Sequence, residues 1–224
     1  VFTLEPLPPG LDPRLVEKLV RAEPATIGHF RNWGFVDPQI RAMQPDVRIA
    51  GPAVTVRAPG FDGTIVGYAL GQVRRGDVLV IDRCGDHRHA AFGGLVAYAC
   101  KVAGLAGVII DGVATDIGEV RRYGVPLWCR GLSAVTTKRI GLAGEFCVPV
   151  SCGGVSVKPG DVVIADECGI VVLDRAEAAA AADRAIGMQD AEAASRARLD
   201  AGEKLPDISG ATKVLEEAMA KLKR

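Results

Sequence analysis

The sequence predicts an α/β fold, and three observations carry that prediction. First, Val78-Leu-Val-Ile-Asp82 and Gly107-Val-Ile-Ile-Asp111 are continuous apolar runs closed by aspartate. Continuous rather than alternating apolarity means burial on both faces, as in a strand held between layers. Second, Ala90 to Ala103 reads as a helix ending near Gly104. A strand–helix–strand order of this kind makes the two strands parallel, joined by a right-handed crossover. Third, Arg75-Gly-Asp-Val-Leu-Val-Ile-Asp-Arg-Cys-Gly85 recurs as Pro159-Gly-Asp-Val-Val-Ile-Ala-Asp-Glu-Cys-Gly169. Gly-Asp supplies a turn, the apolar run a strand, and Asp-x-Cys-Gly its close. The repeat predicts two hairpin-like elements related by pseudo-symmetry in a closed sheet.

The remaining elements follow in chain order. A helix is expected from Pro13 to Ala22, irregular chain from Pro24 to Phe35, and a short helix from Asp37 to Met43. Arg48 to Ala58 contains the alternation Ala53-Val-Thr-Val-Arg, the period of a half-buried strand. Phe61-Asp62-Gly63 opens a helix to about Val73. After the two apolar strands come a helix from Asp116 to Tyr123 and a strand from Leu127 to Arg130. Short strands are expected around Pro149, Gly154 to Val157, Asp161 to Ala165 and Ile170 to Leu173. A long Ala-rich helix runs from Asp174 to about Ala201, stopped by Gly202. A last helix spans Ser209 to Leu222. Few large apolar residues in these two helices place them on the outside or on a neighbouring subunit. The chain divides into an N-terminal helical segment (1–47), a core domain (48–173) and C-terminal helices (174–224).

Composition narrows the functional classes. Among 224 residues, 27 Lys and Arg balance 27 Asp and Glu. A protein that grips nucleic acid or an anionic membrane carries excess basic charge, so neither partner is expected. No apolar stretch approaches the roughly 20 residues of a membrane-crossing helix. The first residues lack the basic start and apolar run of a signal peptide, which makes the cytoplasm the expected location. Six cysteines show neither a C-x-x-C pair nor zinc-ligand spacing, and several lie in apolar strand patterns, where Cys serves as a small hydrophobe.

Two loops carry the candidate chemistry. Cys84-Gly-Asp-His-Arg-His-Ala-Ala-Phe-Gly-Gly-Leu-Val-Ala97 leaves one buried strand and enters a helix. Gly93-Gly94 admits close backbone approach, and the N–H groups of Gly93, Gly94, Leu95 and Val96 at a helix start favour a carboxylate or phosphate. Ile110-Asp-Gly-Val-Ala-Thr-Asp-Ile-Gly-Glu119 is a second strand end before a helix. Asp116 and Glu119 are three apart, so a helix turns both to one face, where two oxygen ligands suit Mg²⁺. Capping of its own helix is the competing role for Asp116. Ligands of layered α/β proteins gather at strand carboxyl ends, which makes the two loops a candidate pocket.

At these residues the chain resembles the RraA-like family, which contains class II pyruvate aldolases acting on 4-hydroxy-4-methyl-2-oxoglutarate and 4-carboxy-4-hydroxy-2-oxoadipate, and the regulator of ribonuclease E activity. The resemblance runs from about Ile49 to Leu173 through Gly51-Pro-Ala-Val-Thr-Val56, the Pro-Gly-Asp-Val-type turns, Ile110-Asp-Gly112 and Pro149-Val-Ser-Cys-Gly-Gly-Val155. It implies a β-β-α swivelling-domain fold with flanking helices, assembled as a trimer or a pair of trimers with sites at subunit interfaces. It also implies a metal-site aspartate at Asp116, accompanied by the acidic Glu119.

Two positions depart from the family pattern. Thr115 stands where the aldolases carry an Arg that binds substrate and steadies enolate charge, and Gly94 stands where they carry an acid. Losing a donor aimed at developing enolate charge costs on the order of 10²–10³ in rate, and a hydroxyl does not replace a guanidinium. Arg83, Arg88, Arg121 and Arg122 lie near enough in sequence to supply a cation from elsewhere. The expected function is a lyase dependent on Mg²⁺ or another divalent ion such as Mn²⁺. It cleaves or decarboxylates a small 2-oxo acid through a pyruvate enolate, as an oxaloacetate decarboxylase also does. Thr115, Asp116 and Arg88 carry the chemistry, Asp116 and Glu119 hold the metal, and residues 93 to 96 receive the substrate carboxylate. The alternatives are a noncatalytic regulator that binds a protein partner and a divergent lyase for a different acid.

Overall fold

A computed structural model describes residues 1–222; Lys223 and Arg224, the last of the 174–224 segment, lie outside the described residues. The order of elements is β1 (Phe2–Leu4), α1 (Pro13–Arg21), α2 (Pro24–Gly28), β2 (Arg41–Ala42), β3 (Ile49–Arg57), α3 (Thr64–Ala69), β4 (Val78–Asp82), α4 (Gly94–Ala103), β5 (Gly107–Ala114), α5 (Ile117–Tyr123) and β6 (Leu127–Leu132). There follow β7 (Gly144–Phe146), β8 (Val150–Cys152), β9 (Val155–Val157), β10 (Val162–Ala165), β11 (Ile170–Leu173), α6 (Ala178–Asp200), α7 (Leu205–Ser209) and α8 (Ala211–Leu222). The fold is mixed α/β.

The main sheet runs β1-β7-β3-β4-β5-β6-β2, with β3, β4, β5 and β6 mutually parallel. Continuous apolarity in β4 and β5 has the cause expected of it, because both faces are covered. Val54, Val56, Leu79, Ile81, Val108 and Ile110 point toward α3, α4 and α5, where they meet Ala97, Cys100 and Val120. Ala53, Val78, Val80, Ile109 and Trp128 point the other way, against Val150, Cys152 and Val157 of the β8–β9 hairpin. A third core joins α1, α2, β10 and β11 to the Ala178, Ala181, Ala182 and Ala185 face of α6.

β3 pairs with three strands, β7 antiparallel at Val56 and Arg57 and two others that divide its length. Residues 49–52 pair antiparallel with β10, whereas residues 53–57 pair parallel with β4. The two repeat copies therefore sit in different ladders, one parallel and one antiparallel, and their likeness survives at the closing turn. There Asp82 accepts from the Cys84 N–H at 2.7 Å, and Asp166 accepts from the Cys168 N–H at 2.8 Å. Cys84 and Cys168 are exposed, the other four cysteines are buried, and all six are free.

Several local expectations are corrected. Asp37 to Met43 is not a helix: Arg41 and Ala42 pair antiparallel with β6, and the Asp37 N–H is taken by Gly153 O, so tertiary hydrogen bonds displace the helical ones. The stretch after Glu23 is not wholly irregular, since Pro24 starts α2 at a position where its missing N–H costs nothing. The helix expected from Phe61 is confined to α3. The helix expected from Ala90 begins at Gly94, because Ala90 is drawn into a bridge with Thr136. β1 and β7 were too short to show a period in the sequence, and α7 precedes the expected final helix.

Candidate functional site

The carboxyl ends of β4 and β5 face the starts of α4 and α5, and Asp116 joins them. It occupies the position before α5 in the left-handed region, with φ 53° and ψ 37°. A side chain that caps its own helix needs extended backbone there. Asp116 consequently makes no capping bond to α5. Its Oδ2 instead accepts from the Gly94 N–H at 2.9 Å, so the aspartate caps α4. Asp is among the few residues that tolerate this backbone region without glycine. Neighbouring Thr115 is fixed by its N–H to Phe92 O, and its hydroxyl lies 3.4 Å from Asp116 Oδ1.

Glu119 completes the arrangement from the first turn of α5, its N–H donating to Asp116 O at 2.9 Å. Its carboxylate rests over Gly94 so closely that a Cβ there would collide with Glu119 Oε2. A Cβ at Gly93 would stand 2.6 Å from Asp116 Oδ2 and 2.9 Å from Thr115 Cγ2. The Gly-Gly step is therefore the seat of two carboxylates. Of the four N–H groups expected to receive a substrate carboxylate, the one at Gly94 is already occupied by Asp116.

This donor set suits one kind of ion. Mg²⁺ keeps several waters and takes one or two protein carboxylates, which Asp116 and Glu119 supply. No group of three or more His, Cys, Asp or Glu side chains placed to hold a metal occurs among the described residues. The site is an open shelf, with Asp116 exposed and Thr115 and Glu119 half-buried.

The four candidate cations have different fates. Arg83 is fully buried, with its guanidinium donating to the carbonyls of Ala58, Gly60 and His89, and its Nε has no partner. Burial lowers its pKa, against the pull of Asp86. It is a scaffold for the loop and not a pocket cation. Arg121 is turned toward Met43 O. Arg122 and Arg88 are exposed. Arg88 is tied to the site through its backbone: its carbonyl accepts from Ser133 Oγ at 2.7 Å, and the Ser133 N–H donates to Ala114 O, one residue before Thr115.

Two further groupings escaped the sequence reading. Asp86 accepts from His89 Nδ1 at 2.8 Å and from the N–H groups of Arg88 and His89. Burial raises the Asp86 pKa, but these bonds outweigh it and hold the carboxyl below its usual range. The three-residue spacing was the available signal. On the opposite face of the sheet, Arg57 and Asp82 end β3 and β4, and Asp111 and Arg130 lie beside them within β5 and β6. Arg57 pairs with Glu145, and Arg130 with both Asp111 and Asp37. Asp82 and Asp111 also accept from the N–H groups of Ser151 and Gly153, which fastens the β8–β9 hairpin across β4 and β5.

Comparison with known proteins agrees with this architecture. A family model described as RraA-like, Aldolase/RraA, matches residues 25–172. A Halalkalibacterium halodurans protein provisionally named 4-hydroxy-4-methyl-2-oxoglutarate aldolase is 35% identical over 138 residues. The match covers 62% of this chain and spans 65% of that relative's length. The crystal structure of Streptomyces coelicolor RraAS2, described as an unusual member of the RNase ES inhibitor RraA protein family, superposes with a TM-score of 0.75 at 31% identity. That superposition covers 84% of this chain and 98% of the other. The RNA-processing inhibitor RraA from Thermus thermophilis gives 0.58 at 30% identity, covering 62% and 84%.

Proposed function

This chain belongs to the RraA-like family, and from that premise we propose that it is a divalent-metal-dependent lyase. It cleaves or decarboxylates a small 2-oxo acid through the enolate of pyruvate. The observation that carries the reading is the convergence of the Asp116 and Glu119 carboxylates on Gly93-Gly94. These two side chains would hold Mg²⁺ or Mn²⁺. When bound, such an ion acts as a Lewis acid toward the carboxylate and keto oxygens of a pyruvoyl unit.

The protein's own part is binding and charge placement. The N–H groups of Leu95 and Val96 remain at the α4 start for a substrate carboxylate, while the Gly94 N–H steadies Asp116. Arg88, exposed and joined to the Thr115 strand end through Ser133, supplies positive charge where Thr115 has none. In aldol cleavage the hydroxyl proton leaves to water, the bond between the carbinol carbon and the pyruvoyl methylene breaks, and its electron pair stays with the pyruvoyl fragment. Decarboxylation of oxaloacetate yields the same fragment. Because one chain leaves the shelf open, a homo-oligomer, trimer or pair of trimers, is proposed to close it.

The test is pyruvate release from oxaloacetate and from 4-hydroxy-4-methyl-2-oxoglutarate, with and without Mg²⁺. The expected result is metal-dependent pyruvate that falls on the order of 10²-fold in Asp116→Asn. Absence of metal-dependent pyruvate from both substrates overturns the proposal. It would leave a noncatalytic regulator, the reading favoured by the uncharged Thr115 and by the inhibitor names of the structural neighbours.

A further inference from the structure

Gly94 has no conformational reason to be glycine. It is the first residue of α4, is buried, and does not lie among the positive-φ residues of the chain. Glycine in a helix costs stability relative to alanine, because more backbone freedom is lost on folding. What the missing side chain provides is space, and the Glu119 carboxylate fills it. The same region receives Asp116, whose Oδ2 is bonded to the Gly94 N–H. Two carboxylates crowded together repel one another, and the partial positive charge at the start of a ten-residue helix offsets that repulsion.

We infer that Gly94 is a positioning residue: it seats the Glu119 carboxylate beside Asp116, so that the second acid of the site is carried by α5 and excludes any side chain at the start of α4. The inference rests on the proposed metal role of Asp116 and Glu119. It makes residues 94 and 119 mutually exclusive occupants of one space. An acid grown from position 94 reaches that space only when Glu119 is cut back, and Glu119 reaches it only when position 94 is bare.

A double-mutant cycle on the full chain tests this, read by thermal melting without metal and by calorimetric titration with Mn²⁺. Gly94→Ala is expected to lower the Tm and to weaken Mn²⁺ binding by about tenfold, the scale of a displaced ligand support. In the Glu119→Ala background the same substitution is expected to cost clearly less Tm, since the carboxylate collision is gone, only the residue-119 Cβ at 3.2 Å remains close, and alanine is the better helix former. Gly94→Asp combined with Glu119→Ala is expected to bind Mn²⁺ more tightly than Glu119→Ala alone. Additive Tm changes, Mn²⁺ affinity indifferent to Gly94→Ala, no recovery in the relocated-acid variant, or no Mn²⁺ binding by the unmodified chain would each overturn the inference. The melting cycle is independent of turnover. Coupling between 94 and 119 without pyruvate release defeats the lyase reading alone, whereas pyruvate release with an additive cycle defeats this inference alone.

Discussion

Asp62 shows how one carboxylate serves several chain segments. It is 2% exposed and accepts from the N–H and hydroxyl of Thr64, which starts α3, and from the N–H groups of Ile140 and Leu142. Burial pulls its pKa upward, but the Thr64 hydroxyl and the three N–H groups prevail and hold it well below the usual carboxylate range. A depressed native pKa contributes stability above the unfolded value of about 3.9, and that contribution fades as pH falls toward the native value. Asp62→Ala is therefore expected to cost about 2–4 kcal/mol at neutral pH. In Tm measured against pH, the gap between wild type and variant should narrow steadily below about pH 4. A gap of constant size down to acid unfolding would contradict this role. Asp116 works differently: its hydrogen bond spans two helices, and its value lies in where it points.

At the scale of elements, the β8–β9 hairpin is held against the sheet by carboxylates from β4 and β5. Asp111 accepts from the Gly153 N–H at 2.7 Å and also pairs with Arg130. Asp111→Ala is expected to destabilise the protein by about 2–4 kcal/mol, by leaving a buried N–H and part of a guanidinium unpaired. Hydrogen exchange should then accelerate in residues 150–157 ahead of the rest of the sheet; uniform acceleration would count against it. This element also shows what the sequence can and cannot carry. Val78 to Asp82 and Gly107 to Asp111 were legible because their apolarity is local and continuous. The helix expected at Asp37 to Met43 failed because Asp37 is claimed by Arg130 and Gly153, more than 90 residues away. In the site, Asp116 and Glu119 were readable from their spacing. That Asp116 caps α4 was not, since a left-handed backbone at one aspartate leaves no mark on composition.

Across the whole molecule, zero net charge coexists with exposed apolar surface. Leu95, Tyr98 and Val102 are 79%, 48% and 68% exposed along one side of α4, and that stripe begins beside Asp116. No helix among the described residues is long and apolar enough to cross a membrane. Apolar stripes of this kind mark contact surfaces, and the proposed oligomer would cover this one. Leu95→Glu with Val102→Glu is expected to shift the protein toward monomer in sedimentation velocity, leaving its circular dichroism unchanged. An unaltered sedimentation coefficient would move the interface elsewhere.

The split pairing of β3 has a consequence for synthesis. A nascent chain that has emerged only through β6 already holds β3, β4 and β5, yet the partners of residues 49–52 lie in β10, more than 100 residues downstream. Until that strand leaves the ribosome, half of the longest strand keeps an unpaired edge of backbone N–H and C=O groups. Such long-range closure slows folding and exposes the half-built sheet to association with other nascent chains. The repeat that was easiest to see in the sequence thus has its second copy, in β10, added to β3 late. That second copy acts as the latch that ends the vulnerable interval of β3.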